Sequence, residues 1–428
     1  MTTTDHRQEL MQLLEAAVAA ANPLICVPPS LPEIPDGGRL IILGAGKGSA
    51  AMVQAAEQHY LANGPQPALS GCTVTRSGFT SDTRVIEMLE GGHPVPTEGS
   101  VSAASRALEL AQSATENDVV LVLMSGGASA LWTAPVGNVT LEEKQQVTRG
   151  LLASGARISE INCVRKHLSL IKGGRLAHAA APARVITLAI SDVPGDDPSA
   201  IGSGPTVGDP TSLADARKIL RDYKVELPPS VVTALEDESN ETPLPDDASF
   251  AGNEFILVSR PADALSAAAK IAEGMGYDVQ LLGDSLEGEA RDLAREHAKL
   301  AFELRKRGGR TALISGGEVT VTIAGKGKGG PNQEYALSLV DALDGAENIW
   351  ALAADTDGTD GGSGSADDPA GAIVDPTSKS RAEACGLNPA KFLQDNDSTG
   401  FFGKLGDLVI TGPTRTNVND FRVILVES

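Results

Sequence analysis

Residues 39–49 read RLIILGAGKGS, an apolar segment that runs directly into a glycine-rich turn. The next residues, Ser49 to Tyr60, have a helical pattern. A strand, a glycine-rich turn and a helix in this order are typical of a parallel sheet covered by helices. Amides at a helix N-terminus bind anions, and a lysine in the turn adds a positive charge. The stretch predicts an α/β fold with an anion site at Gly44, Gly46, Lys47 and Gly48; a purely structural turn is the alternative.

The same alternation continues along the chain. Asp118 to Met124 and Arg184 to Ile190 are nearly continuous apolar runs, which predict buried parallel strands. Thr140 to Leu152 predicts a helix that begins with a capping box formed by Thr140 and Glu143. These elements predict a Rossmann-like parallel sheet flanked by helices in the N-terminal part of the chain.

A boundary is predicted where the sequence becomes acidic and loses its apolar residues. We expect a larger N-terminal domain over residues 1–238, an exposed linker over 239–250 and a smaller C-terminal α/β domain over 251–428. Within the first domain, residues 5–21 predict an amphipathic helix, and within the second, Val319 to Ile323 predicts a strand.

Composition excludes several classes of protein. The chain has 428 residues and a formal net charge of −21, with 3% aromatic residues. Such a charge argues against binding to nucleic acid or to an anionic membrane, while a small phosphorylated ligand depends on local charge instead. The four cysteines are widely spaced, which predicts free, buried thiols rather than disulfides or a zinc site. No signal peptide or apolar span is visible in the sequence, so we expect a cytoplasmic protein.

Two further strand ends carry candidate site residues. Ser125, Gly126 and Gly127 follow one apolar strand and suit phosphate oxygens; they do not match the Gly-x-Ser-x-Gly pattern of serine hydrolases. Asp192 lies two residues beyond the next strand, where a carboxylate can accept a hydroxyl proton, hold Mg²⁺ or simply cap a turn. The Ser125 motif has a counterpart in Ser315, Gly316 and Gly317, which are followed by Glu318.

An Asp- and Gly-rich segment, residues 355–362, follows an apolar run in the C-terminal half. It fails as a calcium loop, because position 359 is Thr and the twelfth position, 366, is Ala. Since Mg²⁺ needs only one or two carboxylates besides phosphate, Asp355 and Asp357 are predicted to contact a magnesium–nucleotide complex. A solvated surface loop is the alternative.

Basic residues cluster at 165–172 inside this acidic chain. Arg165 and Lys166, with His167 and Lys172, suit a carboxylate or a phosphate, or else form a solvated helix face. His93 lies in a loop after a strand, where a structural and a substrate-binding role are equally compatible with the sequence.

In order along nearly the whole chain, these segments resemble the type-2 glycerate kinases, the family with a C-terminal MOFRL domain. The resemblance is carried by the segments already described and by further short motifs: residues 90–96, 162–169, 172–174, 191–196, 202–206, 315–318, 332–334, 357–361, 412–414 and 417–420. Each motif is ordinary alone, and the ordered set is specific.

The resemblance implies ATP- and Mg²⁺-dependent phosphorylation of D-glycerate at its 2-hydroxyl, in a cleft between two α/β domains. It places Lys47, Asp192, Asp357 and Asn417 on active-site motifs. We assign Ser125–Gly127 and Ser315–Glu318 to the nucleotide and Arg165, Lys166 and His93 to the substrate. Family members often carry Arg before Asn-Gln-Glu, whereas this chain has Pro331. Lys326, Lys328, Arg415 or another cation would have to replace that guanidinium.

Two other functions are compatible with the sequence. Gly44–Gly48 also resembles an incomplete dinucleotide turn whose third glycine is replaced by Ser49, and Arg76 is placed to meet a 2′-phosphate. That interpretation gives an NAD(P)H-dependent hydroxypyruvate reductase. A non-catalytic sensor of small anions is the other alternative. The oligomeric state is left open, a homo-oligomer included.

Overall fold

The computed structural model describes residues 3–35, 37–62, 68–362, 365 and 367–428. Residues 363, 364 and 366, the last of which is the twelfth position of the calcium-loop comparison, therefore lie outside the described part of the chain. The chain divides into an N-terminal unit, Pro23–Val258, and a C-terminal unit made of the residues before Pro23 together with Ser259–Ser428.

The chain opens with helix α1 (Thr3–Ala20), which belongs to the C-terminal unit. The N-terminal unit follows with six strands: β1 (Arg39–Ala45), β2 (Ala68–Arg76), β3 (Glu87–Gly91), β4 (Val119–Met124), β5 (Arg184–Ile190) and β6 (Glu254–Ser259). Its helices are α2 (Pro23–Cys26), α3 (Ser49–Ala62), α4 (Glu98–Gln112), α5 (Ala128–Leu131), α6 (Leu141–Ala153), α7 (Ile158–His167), α8 (Arg175–Ala180), α9 (Leu213–Asp222) and α10 (Pro229–Glu236).

The sheet of the N-terminal unit has the order β3-β2-β1-β4-β5-β6. The pairs β3–β2, β2–β1, β1–β4 and β4–β5 are parallel, so their carboxyl ends lie at one edge. The order reverses between β1 and β4, which is where ligands bind in doubly wound α/β sheets. The predicted parallel, Rossmann-like sheet is confirmed.

Alternating side chains of β1 and β4 build the core under one face of this sheet. Ile41, Leu43, Val120 and Val122 are fully buried there. The helices packed against them present small residues, which let helix and sheet approach closely. From α4 these are Ala103, Ala104, Ala107 and Ala111, and from α8 they are Ala177 and Ala180. The predicted capping box at α6 is also confirmed, with Thr140 accepting the Glu143 amide at 3.2 Å.

The C-terminal unit continues with helices α11 (Pro261–Gly274), α12 (Ala290–Arg307), α13 (Pro331–Leu343), α14 (Ser378–Ala384), α15 (Pro389–Asp395) and α16 (Ser398–Leu405). Its strands are β7 (Asp278–Leu286), β8 (Arg310–Gly317), β9 (Ile349–Asp355), β10 (Gly371–Val374), β11 (Leu408–Val409) and β12 (Asp420–Glu427). The sheet order is β11-β10-β9-β12-β8-β7. Only the β7–β8 pair is parallel, so this second α/β sheet is mixed.

The unit boundaries differ from the predicted ones at the N-terminus. Helix α1 packs with the C-terminal unit, where Leu10, Leu13 and Leu14 are at most 1% exposed. Arg7 donates to Asp407 at 2.7 Å, more than 390 positions further along the chain. The amphipathic pattern of the helix shows that it needs a partner, and it does not say which part of the chain supplies one.

The acidic segment 239–250 packs on the N-terminal unit and does not link two domains, although Leu244 and Asp246 are among its residues that are exposed, as we expected. The Glu241 carboxylate accepts the Leu213 amide at 2.9 Å, and Thr242 is 2% exposed. Strand β6, which was expected to begin the second domain, joins the first sheet. The segment is acidic because its carboxylates cap backbone amides, as Asp247 does for Ser249.

Two smaller predictions are corrected. Residues 319–323 form no strand; only Thr320 makes an isolated bridge, to Glu289, because Gly317 turns the chain with φ +102°. The four cysteines are free, but only Cys72 and Cys163 are buried, and Cys385 is exposed. Within the described residues, no single helix is long and apolar enough to cross a membrane, although the bent pair 5–20 and 23–30 passes by length and composition alone.

Candidate active site

The carboxyl edge of the parallel sheet collects most of the predicted residues of the N-terminal unit. Ala45 is paired with Met124, and Met124 with Ala189, so the loops after β1, β4 and β5 start side by side. These loops carry Lys47, Ser125 and Asp192. The parallel topology places them at one edge without any further assumption.

The turn after β1 uses its amides within the protein. Gly46 donates to Val74 O at 3.2 Å, Lys47 to Gly126 O at 2.8 Å and Gly48 to Ser125 Oγ at 2.8 Å. Gly46 has φ +136°, and a Cβ there would lie 2.2 Å from Ser125 Oγ. Gly44, Gly46 and Gly48 therefore allow two loops to pack closely, and the group that the turn offers to an anion is the Lys47 side chain.

The turn after β4 has two backbone amides without an acceptor among the described residues. Gly126 and Gly127 donate to no group in the described part of the chain, and Gly127 has φ +84° at the start of α5. A Cβ on Gly127 would meet His93 Cδ2 at 2.8 Å and Lys47 Cγ at 3.4 Å. Three predicted residues, Lys47, His93 and Gly127, are thus close together. Two amides beside a lysine and an imidazole make a site for an anion.

The basic group on α7 divides into a paired and an unpaired cation. Lys166 is 4% exposed, and its Nζ lies 3.2 Å from Asp209 Oδ1, so its charge is already neutralised. Arg165 is half-buried, and no described carboxylate pairs with it. Of these two predicted residues, Arg165 is the one available to a substrate. His167 is fully buried and bonds Cys163 O at 2.9 Å, so this helix end is not a solvated face.

Two buried lysines, Lys144 and Lys172, lie near Arg165. Burial, reinforced by Arg165, lowers the pKa of Lys144 to about 7. Burial and the cations Lys144 and Arg165 hold the pKa of Lys172 well below its usual range. Lys172 donates to Ser129 O at 2.8 Å, directly after the Gly126–Gly127 turn. The sequence had not singled out Lys144, since it lies on a helix face beyond an ordinary capping box.

Asp192 is half-buried at the end of β5. The turn that follows is closed by the Asp196 amide, which donates to Val193 O at 3.0 Å. The neighbouring Asp197 caps the Ser199 amide at 2.9 Å and so has a structural role. Among the carboxylates of this segment, Asp192 lies nearest to the strand end, where a hydroxyl proton would be accepted.

In the C-terminal unit, β8 and β9 end at the same edge at which β12 begins. Asp355 is paired with Asp420, and Ser315 with Arg422. Asp357 is 3% exposed, and its Oδ1 accepts both the amide and the hydroxyl of Thr359 at 2.8 Å. Asn417 is 2% exposed in the loop that leads into β12. One edge of this sheet therefore carries Asp355, Asp357, Asn417 and the strand end Ser315–Gly317, which is followed by Glu318.

A buried polar network supports this edge. The Asp360 carboxylate accepts the amides of Asn332 and Gln333 at 2.9 and 2.8 Å, and Asn332 Nδ2 donates to Asp420 at 2.6 Å. Arg422 donates to Asp420 and, at 3.0 Å, to Gly316 O. Burial raises the pKa of Asp360 to about 7 and also raises that of Asp420. The motif Asn-Gln-Glu had already drawn attention to Asn332 in the sequence. No sequence pattern distinguished Arg422 from its neighbours in β12.

The cations that the sequence offered in place of Pro331 differ in their surroundings. The backbones of Lys326 and Lys328 are bound to the Asp395 and Asp397 carboxylates at 3.1 and 3.2 Å. Arg415 lies in the loop that contacts the Asp357 turn, where Thr414 N donates to Asp357 O at 3.3 Å. All three side chains are exposed.

Metal and pocket geometry add two findings. The described residues contain no group of three or more His, Cys, Asp or Glu side chains arranged to hold a metal ion. Two surface pockets, of about 650 and 580 Å³, are lined by none of the predicted site residues. A site at either sheet edge is therefore formed by strand-end loops and not by these pockets.

Two families match most of the chain between them. Residues 9–236 match the family described as Domain of unknown function (DUF4147), and residues 311–420 match the MOFRL family.

Similar proteins extend over the full length. A protein of Agrobacterium vitis with the provisional name hydroxypyruvate reductase is 49% identical over 98% of this chain and 94% of its own length. D-glycerate 2-kinase of Thermotoga maritima is 38% identical over 97% of both chains. The crystal structure of glycerate kinase from Thermotoga maritima superposes with a TM-score of 0.88 at 37% identity, covering 99% of this chain and 100% of that one. These matches confirm the resemblance, and the chain belongs to the MOFRL-domain family of glycerate 2-kinases.

Proposed function

We propose that the protein transfers the γ-phosphoryl group of ATP, bound with Mg²⁺, to the 2-hydroxyl of D-glycerate, giving 2-phospho-D-glycerate and ADP. The observation that carries the proposal is the anion site at the switch point of the parallel sheet. There Lys47 and His93 lie beside Gly127, the amides of Gly126 and Gly127 have no acceptor among the described residues, and Arg165 has no described carboxylate partner. Relatives named glycerate 2-kinase and glycerate kinase support the choice of substrate.

The groups of the N-terminal unit suit glycerate and the transferred phosphoryl group. Arg165 binds the glycerate carboxylate, because a guanidinium matches a carboxylate with two parallel hydrogen bonds. The oxygen of the 2-hydroxyl bonds to the γ-phosphorus while the bond from that phosphorus to the β,γ-bridging oxygen breaks. Asp192 accepts the proton that the 2-hydroxyl loses. Lys47 and the two glycine amides stabilise the charge on the phosphoryl oxygens.

The groups of the C-terminal unit suit the magnesium–nucleotide complex. The donor set fits Mg²⁺, since Asp355, which is half-exposed, and Asp357 both supply carboxylate oxygens at this edge. Mg²⁺ characteristically takes one or two carboxylates and completes its shell with water and phosphate oxygens, which also agrees with the absence of a larger cluster among the described residues. Bound Mg²⁺ neutralises phosphate charge; Asn417 and the Ser315–Glu318 strand end contact the nucleotide.

The direct test is NMR of the product formed from ATP, Mg²⁺ and D-glycerate. We expect a phosphorus signal coupled to the proton on C2 of glycerate, and its loss when Mg²⁺ is chelated. The variant Asp192→Asn keeps the size of the side chain and should lower turnover by about 100-fold or more, because an amide cannot accept the proton. A 3-phosphate product, or no product, would reject the proposal.

A second candidate is an NAD(P)H-dependent hydroxypyruvate reductase, because two relatives, 49% and 45% identical, bear that provisional name. The turn after β1 weighs against it. The Gly48 amide, which would meet a dinucleotide pyrophosphate, is already bound to Ser125 Oγ at 2.8 Å. Incubation with hydroxypyruvate and NADH or NADPH separates the two functions, since loss of the reduced-cofactor absorbance occurs only with a reductase.

A further inference from the structure

Arg415 is held in a backbone conformation that its side chain does not favour. Its φ is +62°, in the left-handed region where glycine is at ease and a long side chain is strained. Of the other described non-glycine residues with positive φ, most are Asn, Asp or Ser, and Lys224 lies just beyond the end of α9. Arg415 is at no helix end. A strained residue persists only where its surroundings hold it, and such residues cluster at functional sites.

Two threonines hold Arg415 in place. Thr414 Oγ1 donates to Thr356 O at 2.5 Å, and its amide donates to Asp357 O at 3.3 Å. On the other side, Thr416 is 1% exposed and donates to Ala21 O at 2.7 Å. Since both neighbours are anchored, the Arg415 backbone cannot relax. The side chain is left exposed beside the Asp355–Asp357 turn.

The charge at this edge explains why a cation is needed there. Asp355 and Asp357 bring negative charge to this edge, and the buried Arg422 is occupied by Asp420 and Gly316 O. No carboxylate in the described part of the chain pairs with Arg415. A nucleotide polyphosphate brings more negative charge than one divalent ion removes.

From the strain, the anchoring and the charge, we infer that Arg415 binds the phosphates of the nucleotide at the Asp355–Asp357 edge. Its guanidinium reaches phosphate oxygens in a bidentate manner and stabilises the charge that develops on them during transfer. This inference rests on the proposed function, and it adds a substrate-contacting residue to the C-terminal unit.

The test uses Arg415→Gly, because glycine relieves the strained φ while removing the cation. We expect an unchanged or higher melting temperature, a value of kcat/KM for ATP lower by about 100-fold, and MgADP binding weaker by about 10-fold in calorimetry. Arg415→Lys keeps the charge without the planar fork and should recover part of the loss. Lys306→Ala, which removes one exposed charge in the last turn of α12, is the matched control and should leave all three values unchanged.

The outcomes separate this inference from the proposed function. If the wild-type protein forms 2-phosphoglycerate and Arg415→Gly does so equally well, the role of Arg415 is wrong and the kinase stands. If the wild-type protein forms no product but binds MgADP more tightly than Arg415→Gly does, the nucleotide contact stands and the reaction is wrong. Equal binding of MgADP by both proteins, or none by either, overturns the inference about Arg415.

Discussion

The two Ser-Gly-Gly strand ends have the same residues and different structures. Ser125–Gly127 leaves a parallel strand and enters a helix, so Gly126 and Gly127 keep amides that no described group accepts. Ser315–Gly317 is still part of β8; Gly316 O accepts Arg422, and a Cβ on Gly317 would lie 2.2 Å from the Leu286 backbone. The first strand end therefore keeps two backbone amides for an anion, while the glycines of the second are packed against Arg422 and Leu286. A short motif acquires its chemistry from the elements that surround it.

The largest expected effect comes from removing the cation of the first edge. Lys47→Ala should lower kcat by about 1000-fold, because the ammonium stabilises charge on the transferred phosphoryl group. The variant retains the Lys47 backbone amide, which binds Gly126 O at 2.8 Å, so we expect the fold to be kept. The measurement is steady-state phosphorylation of D-glycerate together with thermal unfolding.

Arg221→Ala, which removes an exposed side chain in the last turn of α9 in the same unit, serves as the control for loss of one charge. Turnover of Lys47→Ala within a few-fold of the wild type would remove the anion site after β4 from the reaction.

A pair of alanine substitutions compares the two motifs directly. Gly127→Ala places a Cβ 2.8 Å from His93 at φ +84°, so it should cost about 1–3 kcal/mol of stability and at least about a tenfold loss of kcat/KM. Gly316→Ala meets Asp420 O at 3.2 Å without positive φ, and it should change stability by less than about 1 kcal/mol. Denaturant unfolding and kinetics of both variants test this. Equal effects would mean that the two strand ends do not differ as described.

The last expected effect concerns stability alone and is a pH dependence that arises from the buried Lys144. The folded-state pKa of Lys144 is about 7, below its ordinary value of 10.5, so between these pH values the unfolded chain binds the proton and the folded chain does not. This group therefore makes stability rise with pH across that window, by up to about 1.4 kcal/mol per pH unit. Lys144→Met abolishes this slope.

The measurement is the difference in unfolding free energy between wild type and Lys144→Met at pH 7, 8 and 9, in which the other titrating groups cancel. The unfolding free energy of the wild type should rise relative to that of Lys144→Met as the pH rises. Parallel pH profiles would contradict the lowered pKa of Lys144.

Much of the fold was predictable because it depends on local patterns. The apolar run Arg39–Leu43, the glycine turn and the helix after it specify a parallel unit, and Thr140 with Glu143 specifies a helix start. The position of α1 was not predictable, since an apolar helix face does not specify which part of the chain packs against it. The acidic segment 239–250 was misjudged because carboxylates that cap amides and carboxylates that face water have the same sequence.

For the candidate site, the sequence indicated which residues to consider. The structure showed which of their charges and amides are already bound within the protein. The sequence by itself indicated phosphate binding at glycine-rich strand ends, with Lys47, Asp192, Asp355 and Asp357 beside them. Only the tertiary structure showed that Lys166 is neutralised by Asp209 and that Arg165 is not. It also showed that Gly126 and Gly127, not the turn after β1, have free amides in the described chain. The physical reason is that hydrogen bonds and ion pairs between distant segments determine which charges and donors remain for a ligand.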